Sequence, residues 1–478
     1  MQEIAIAGFP LALVLLGALA YPTSAPDDTA LFVFASALFG CSSFLLIRRL
    51  RRRRSQSSTA ASIVYGGFVL FYSYPAFLFS TLDPPSWLDA VVSWRTLIAV
   101  GLFFVALAIG LRIRVFSTDG GVDPCRERRG EKFIAGGALC LTFLGLAPYL
   151  AEVADPSHLL ALILASRTTD KPWLPTLNLG SAETLIPAVS VMALVAGASM
   201  LTVHFLFRSK GRATRTAGLL LVVSVVGVVV LDHGTRVLLL LVFGPATILY
   251  LRERHLRFPL RTGITLVALV VAGLWLGQYV ASARALTASG VTRESVFEDW
   301  YLLGGSIDFF SETVFSVALV PSQRDYFHES TTLLFLTYPI PRAVWAGKPV
   351  SSSVRYYVLE RWGQDVLVQA GNVFPGIVGQ QYLSWGLGGV FLAGMLFGLV
   401  GRVVGSRVTD RVSSADLFTS ACWLMLAIWL FTCFRLLSPV FLVPVVLSFL
   451  LVRTSRMLGQ RNTLDSRRAL RRRHCESV

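Results

Sequence analysis

The chain has 478 residues, 54% of them hydrophobic and only 15% charged, with a mean hydropathy of +0.64 and a formal net charge of +15. Soluble domains carry about 25% charged residues, so this composition excludes a soluble fold. The apolar residues gather in runs of about twenty, the length at which a helix crosses a hydrocarbon core. An all-α polytopic membrane protein is the expected fold class.

Twelve transmembrane helices are expected, near residues 4–20, 30–47, 62–80, 96–111, 133–151, 183–207, 217–231, 237–251, 262–281, 386–401, 415–433 and 437–452. The first ends in Ala18-Leu-Ala20, which resembles a cleavage site. Met1-Gln2-Glu3 lacks the basic stretch of a signal peptide, so it reads as a retained helix. Alternate connections (48–54, 112–132, 208–215, 252–261, 402–411 and the tail from 453) hold 31 of the 43 Lys and Arg, and the acids split 10 against 18 the other way. Lys and Arg accumulate on the cytoplasmic side, which predicts cytoplasmic termini. The basic runs then serve as topology signals and membrane-lipid anchors and not as a nucleic-acid site.

The expected organisation is an N-terminal transmembrane bundle over 1–281, a large external loop over 282–385 between spans 9 and 10, C-terminal spans over 386–452, and a basic cytoplasmic tail over 453–478. None of the six cysteines falls in an external loop, so no external disulfide is expected. No internal repeat appears, and no span carries a central Asp, Glu, Lys or Arg of the kind a proton-coupled transporter uses.

Within the large loop, Ser295-Val-Phe-Glu298 fits a helix capping box at the start of a run from Phe297 to Val320. Glu298, Asp308 and Glu312 share one face of that helix, with aromatic residues on the others, as in a helix lying at the membrane surface. Pro375 suits the first turn of a helix running unbroken to about Gly401. That helix would project past the hydrocarbon core with Gln380, Gln381 and Trp385.

External cations are informative because topology selects against them there. The twelve are Arg95, Arg167, Lys171, Arg236, Arg284, Arg293, Arg324, Arg342, Lys348, Arg355, Arg361 and Arg435. Guanidinium forks hold phosphate oxygens at two points and stay charged. Four stand out by position. Arg236 follows the tight Asp232-His233-Gly234 turn, and Arg435 lies between two nearly contiguous spans. Arg342 and Lys348 are bracketed by Pro339, Pro341 and Pro349. Glu312 and His233 are the candidate bases, with Asp308, Asp232, His328 and His158 as further acids and bases. No DxD-like pair or metal-ligand spacing occurs in an external loop. That pattern leads us to expect a metal-independent reaction without a cofactor.

Three motifs resemble one family, the oligosaccharide repeat-unit polymerases of O-antigen and exopolysaccharide assembly. They are His233-Gly-Thr-Arg236 entering a span, Tyr338-Pro-Ile-Pro-Arg342-Ala-Val-Trp345-Ala-Gly-Lys348-Pro349, and Gly379-Gln-Gln-Tyr382-Leu-Ser-Trp385-Gly386-Leu-Gly-Gly389. The likeness covers about 235 to 400 and departs at Trp385, where the family pattern places an acid before the glycine. It implies a GT-C-like membrane glycosyltransferase of the bacterial cytoplasmic membrane, working on its external face. Such an enzyme lengthens glycans on undecaprenyl diphosphate, the lipid-linked oligosaccharide partner. A chain-length regulator is the candidate protein partner. Arg236, Arg342, Lys348 and Arg435 would hold diphosphates, Trp345 and Tyr382 would meet sugar faces, and Gln380 completes the substrate-binding set. A ligase passing finished glycan to another acceptor and a lipid or polysaccharide transporter are the alternatives.

Overall fold

The computed structural model describes residues 2–20, 28–51, 57–81, 90–113, 124–150, 182–209, 211–233, 236–253, 309–328, 345, 352–362, 375–408, 417–435 and 440–458. Every regular element among them is helical. The helices are α1 (Gln2–Ala20), α2 (Asp28–Arg51), α3 (Ser57–Phe68), α4 (Tyr74–Thr81), α5 (Ala90–Gly110), α6 (Pro124–Leu150), α7 (Ala182–Phe207), α8 (Arg212–His233) and α9 (Arg236–Glu253). They continue as α10 (Phe309–Leu319), α11 (Ser352–Trp362), α12 (Gly376–Arg407), α13 (Leu417–Cys433) and α14 (443–458). A π-turn over Val69–Ser73 joins α3 to α4. Helices lie over each expected span except 262–281, which is outside the described residues. Among the described residues, six helices are long and apolar enough to cross a membrane.

Two close helix pairs form the frame. In the first, α5 and α12 meet through Gly110, Gly394 and Gly398. A Cβ at Gly394 would come 2.5 Å from the Phe103 carbonyl oxygen, and one at Gly398 would collide with the Leu107 carbonyl. In the second, Gly197 of α7 sits against the backbone of Ala138 in α6, and Gly145 of α6 against Ser190 of α7. Lipid tails are as apolar as leucine, so burial alone does not drive these helices together. Close backbone approach gains dispersion and supplies that drive. Gly394-Met-Leu-Phe-Gly398 is the small-xxx-small pattern that achieves it. The core beside this seam is aromatic, with Phe68 stacked on Phe104 at 4.8 Å and Phe103 edge-on to Phe397 at 6.2 Å.

Polar pairs sort the helix termini into two ends. At one end Glu3 is fully buried at the start of α1 and bound by Arg49 of α2 at 2.5 Å and by Arg112, just past α5, at 3.1 Å. The start of α6 and the end of α7 meet through Glu131 and Arg208 at 3.1 Å. Thr419 of α13 accepts a hydrogen bond from Arg456 of α14 at 2.6 Å. Arg49, Arg112, Arg208 and Arg456, which the charge pattern marks as topology signals, therefore also fasten helices to one another. The described cysteines Cys41, Cys140, Cys422 and Cys433 are free thiols.

At the other end α12 begins, and it is pinned there by Tyr72 from the π-turn. The Tyr72 hydroxyl donates to the Phe434 carbonyl at 3.0 Å and accepts from the Val378 N–H at 3.1 Å. The Ile377 N–H donates to the same Phe434 carbonyl at 3.2 Å. These bonds satisfy two of the N–H groups that a helix start leaves without partners, inside a fully buried site. Gly376 has φ +65°, and a Cβ there would meet the Tyr72 hydroxyl and the Phe309 side chain.

The close seam makes a specific prediction. Replacing Gly398 with leucine drives a side chain into the α5 backbone, an overpacking that costs about 1–3 kcal/mol. The melting temperature of the detergent-solubilised protein should fall by several degrees. Gly388→Ala, at a helix position with nothing within 4 Å of the added Cβ, should be neutral or slightly stabilising.

Candidate functional site

The end of the bundle where α12 starts collects some of the polar side chains singled out in the sequence, Glu312, Gln380, Gln381 and Arg435. Where the sequence predicts one unbroken helix over 375–401, α12 is broken at Gly386. That residue has φ +60° and ψ −148°, a backbone region open essentially to glycine alone. The break separates the carbonyls of Leu383 and Ser384 from Leu387 and Gly388, their donors in a regular helix. The segment after α10 fills the gap: Phe327 N–H donates to Leu383 at 3.1 Å and His328 N–H to Ser384 at 2.9 Å. The Tyr326 ring closes over Gly386, leaving a Cβ there only 3.0 Å from its nearest carbon. Residues 320–328 thus form a strap across the break.

The first half of α12 is packed inside the protein. Gln380 and Gln381 are 2% and 4% exposed, and Tyr382 is buried as well. Trp385, the last residue before the break, is 46% exposed. An aromatic group surrounds the kink, with His328 against Trp385 at 5.7 Å and Tyr326 against Tyr382 at 6.0 Å. Arg95 of α5 lies within electrostatic reach of Tyr382.

The second polar cluster is built on α10. The expected exposed acidic face is corrected here, because α10 is buried on most of its surface. Phe309 and Phe310 pack edge-on against Phe71 and Phe79. Ser316 sits against Gly379 of α12, and Thr313 donates to the Pro375 carbonyl at 3.5 Å. Glu312 is therefore an inward-facing carboxylate. It accepts the Tyr357 hydroxyl hydrogen bond and pairs with Arg361 at 3.5 Å. Tyr357 and Arg361 stand four residues apart on α11, hence on one face. The Phe315 ring lies under the same pair, 5.6 Å from Tyr357 and 5.2 Å from the Arg361 guanidinium. Glu298 and Asp308, the other acids of the expected face, lie outside the described residues.

Burial pushes the Tyr357 phenol well above its ordinary range, and the adjacent Glu312 carboxylate pushes it further. The phenol therefore stays a donor to Glu312 throughout the physiological range. The strap is tied to α11 as well. The Arg324 guanidinium lies 4.6 Å from the Phe327 ring centre and 5.0 Å from that of Tyr356, a cation–π arrangement. Arg324 and Arg361, two of the twelve cations expected on the external side, thus have partners in the fold.

The remaining candidates are placed as follows. Arg435 is half-buried in the turn after α13, one peptide from the Phe434 carbonyl that holds the start of α12. Arg236 opens α9 directly after His233 closes α8 and two intervening residues pass. The side chains of Arg236 and His233 are outside the described set. Gly244 of α9 lies against Ile428 of α13, with an added Cβ 2.5 Å from Ile428 Cδ1. Arg236 is eight residues before Gly244 and Arg435 seven after Ile428, a rise of about 12 and 10 Å along each helix. Trp345 is 41% exposed, whereas Arg342, Lys348 and His158 fall outside the described residues; Asp232 is in the last turn of α8, its side chain outside the described set like that of His233. Among the described residues no group of three or more His, Cys, Asp or Glu is placed to share a metal ion.

Sequence reasoning passed over Tyr357, Tyr326 and the specific role of Arg361. The Tyr357/Arg361 spacing was a usable signal for a shared helix face, but nothing local marks Glu312 as their partner 45 residues away. Searches of family models, curated proteins and solved structures return no match.

Two outcomes test this geometry. Gly386→Ala puts a side chain at a backbone angle that costs about 1–3 kcal/mol and presses it against Tyr326, so the melting temperature should drop. Tyr357→Phe removes a buried donor to a carboxylate, worth about 1–3 kcal/mol. Because the folded phenol holds its proton above the pH at which an unfolded tyrosine loses it, this contribution is complete below about pH 10. It is lost as pH rises further, and the stability gap between wild type and Tyr357→Phe should close there.

Proposed function

We propose that this chain is a membrane glycosyltransferase that polymerises undecaprenyl-diphosphate-linked oligosaccharide repeat units on the external face of the bacterial cytoplasmic membrane. The observation that carries this reading is the convergence at one end of the bundle. There Glu312, Arg435, Gln380, Gln381 and Tyr382 are gathered around the start of α12, away from the Glu3–Arg49–Arg112 end. Charge counting assigns that second end to the cytoplasm.

In the proposed reaction an acceptor sugar hydroxyl attacks the anomeric carbon of the donor glycan. The bond from that carbon to the diphosphate oxygen breaks, and undecaprenyl diphosphate leaves with the bonding electrons. The hydroxyl proton passes to a base. Glu312 takes that role as the buried carboxylate nearest the start of α12, its charge balanced by Arg361, and His233 is the second candidate. Arg236, Arg342 and Lys348 hold the donor diphosphate, and Arg435 the acceptor diphosphate. Their guanidinium and ammonium groups offset charge that grows on the leaving oxygen. Trp345 offers an exposed ring to a sugar face. A chain-length regulator is the protein partner this activity calls for.

Purified protein incubated with the lipid-linked repeat unit should yield a ladder of longer glycans, with or without chelator. A charge-assisted hydrogen bond contributes about 1.5–3 kcal/mol, so Arg435→Ala should lower kcat/KM about ten- to a hundredfold. Glu312→Gln should lower kcat more than it raises KM. No lengthening by wild type would refute the activity. Full-length chains accumulating on undecaprenyl diphosphate in a deletion strain would identify a ligase instead.

A further inference from the structure

The break in α12 leaves polar groups that the fold itself does not use. Neither Gln380 Oε1 nor Gln381 Nε2 has a hydrogen-bond partner, although both side chains are almost wholly buried. A buried amide atom without a partner is destabilising, and two on adjacent residues of one short helical segment call for an explanation. One turn further on, the exposed Trp385 ring and the His328 ring stand together, with Tyr326 6.3 Å from His328. Gln381 is four residues before Trp385 and so lies on the same side of the helix.

We propose that this is a saccharide subsite, in which one neutral sugar ring of the lipid-linked glycan lies against Trp385 while its hydroxyls complete the Gln380 and Gln381 amides. The chemistry of the two amide atoms selects the ligand. Gln380 Oε1 needs a donor, and Gln381 Nε2 needs an acceptor. An ionised diphosphate only accepts, a lipid ammonium only donates, and a polyprenyl chain does neither. A sugar hydroxyl does both, and the apolar face of a pyranose suits an aromatic ring. The glutamines are missing from the cation set that the diphosphates require, so sugar and diphosphate are held by separate groups. The kink serves this division. It ends the buried amide-bearing segment at Trp385 and lets the strap bring His328 alongside.

The inference rests on the glycosyl-transfer reading, and one experiment separates the two. Binding of undecaprenyl diphosphate, with and without its repeat unit, is measured by native mass spectrometry on the full-length protein in detergent. The proteins are wild type, the double variant Gln380→Met/Gln381→Met, and Trp385→Ala. Wild type should prefer the glycosylated lipid by about tenfold or more. Both variants should lose that preference while binding the bare lipid as before. The methionines, which remove unpartnered amides at nearly constant volume, should leave the melting temperature unchanged or raised. A preference that survives in the double variant overturns the subsite. So does a fall in its melting temperature, which would show the amides bonded within the fold through a trapped water. If wild type lacks elongating activity but keeps the preference, the glycosyl-transfer reading fails and the subsite stands. If wild type elongates and the variants keep the preference, only the subsite fails.

Discussion

The arrangement of this end of the molecule depends on one buried hydroxyl. Tyr72 reaches from the π-turn between α3 and α4 to bind the last carbonyl region of α13 and the first turn of α12 together. A π-turn inserts an extra residue into a helix and re-aims the side chains around it. Here it places Tyr72 against two chain segments that are each more than 300 residues from it in sequence. The site is fully buried, so a peptide group left without a partner there is costly. The start of α12 therefore has one position, and Arg435, Phe309 and the Gln380–Tyr382 segment are positioned with it.

From that fixed start the rest of the site follows by packing. The glycine seam holds the far half of α12 against α5, while the near half turns at Gly386 to lie under the strap. The strap replaces the helix donors lost at the break, and its Arg324 fastens α11 through ring faces. Helix α11 in turn presents Tyr357 and Arg361 to Glu312. A carboxylate that the sequence places on the acidic face of a surface helix is thereby made a buried, doubly held group. Arg361 supplies its countercharge and Tyr357 a hydrogen bond, the partners that a carboxylate taken out of water requires.

Much of the fold was legible in the sequence, because membrane spans announce themselves by length and hydropathy, and helices lie where those signals put them. The candidate site was legible only as a set of separate residues. Pro375, Gln380, Tyr382, Glu312 and Arg435 were picked out individually, and the structure brings them to one end. Their environments were misread for two reasons. The break at Gly386 is set by Tyr326 and the Phe327 and His328 amides, about sixty residues away, and a lone glycine in a glycine-rich helix gives no warning of it. The period of the acidic residues in α10 describes an amphipathic face, but Tyr357 and Arg361 convert that face into a buried one. Long-range partners decided both.

The account's central claim is that a lipid-linked glycan is worked on at the end of the bundle where α12 begins. A cryo-EM map of the protein in a lipid nanodisc with an undecaprenyl-diphosphate-linked repeat unit tests it directly. The account predicts diphosphate density within reach of the Arg435 guanidinium, with sugar density against Trp385. Density for the headgroup at the opposite end, beside Arg49 and Arg112, would contradict it.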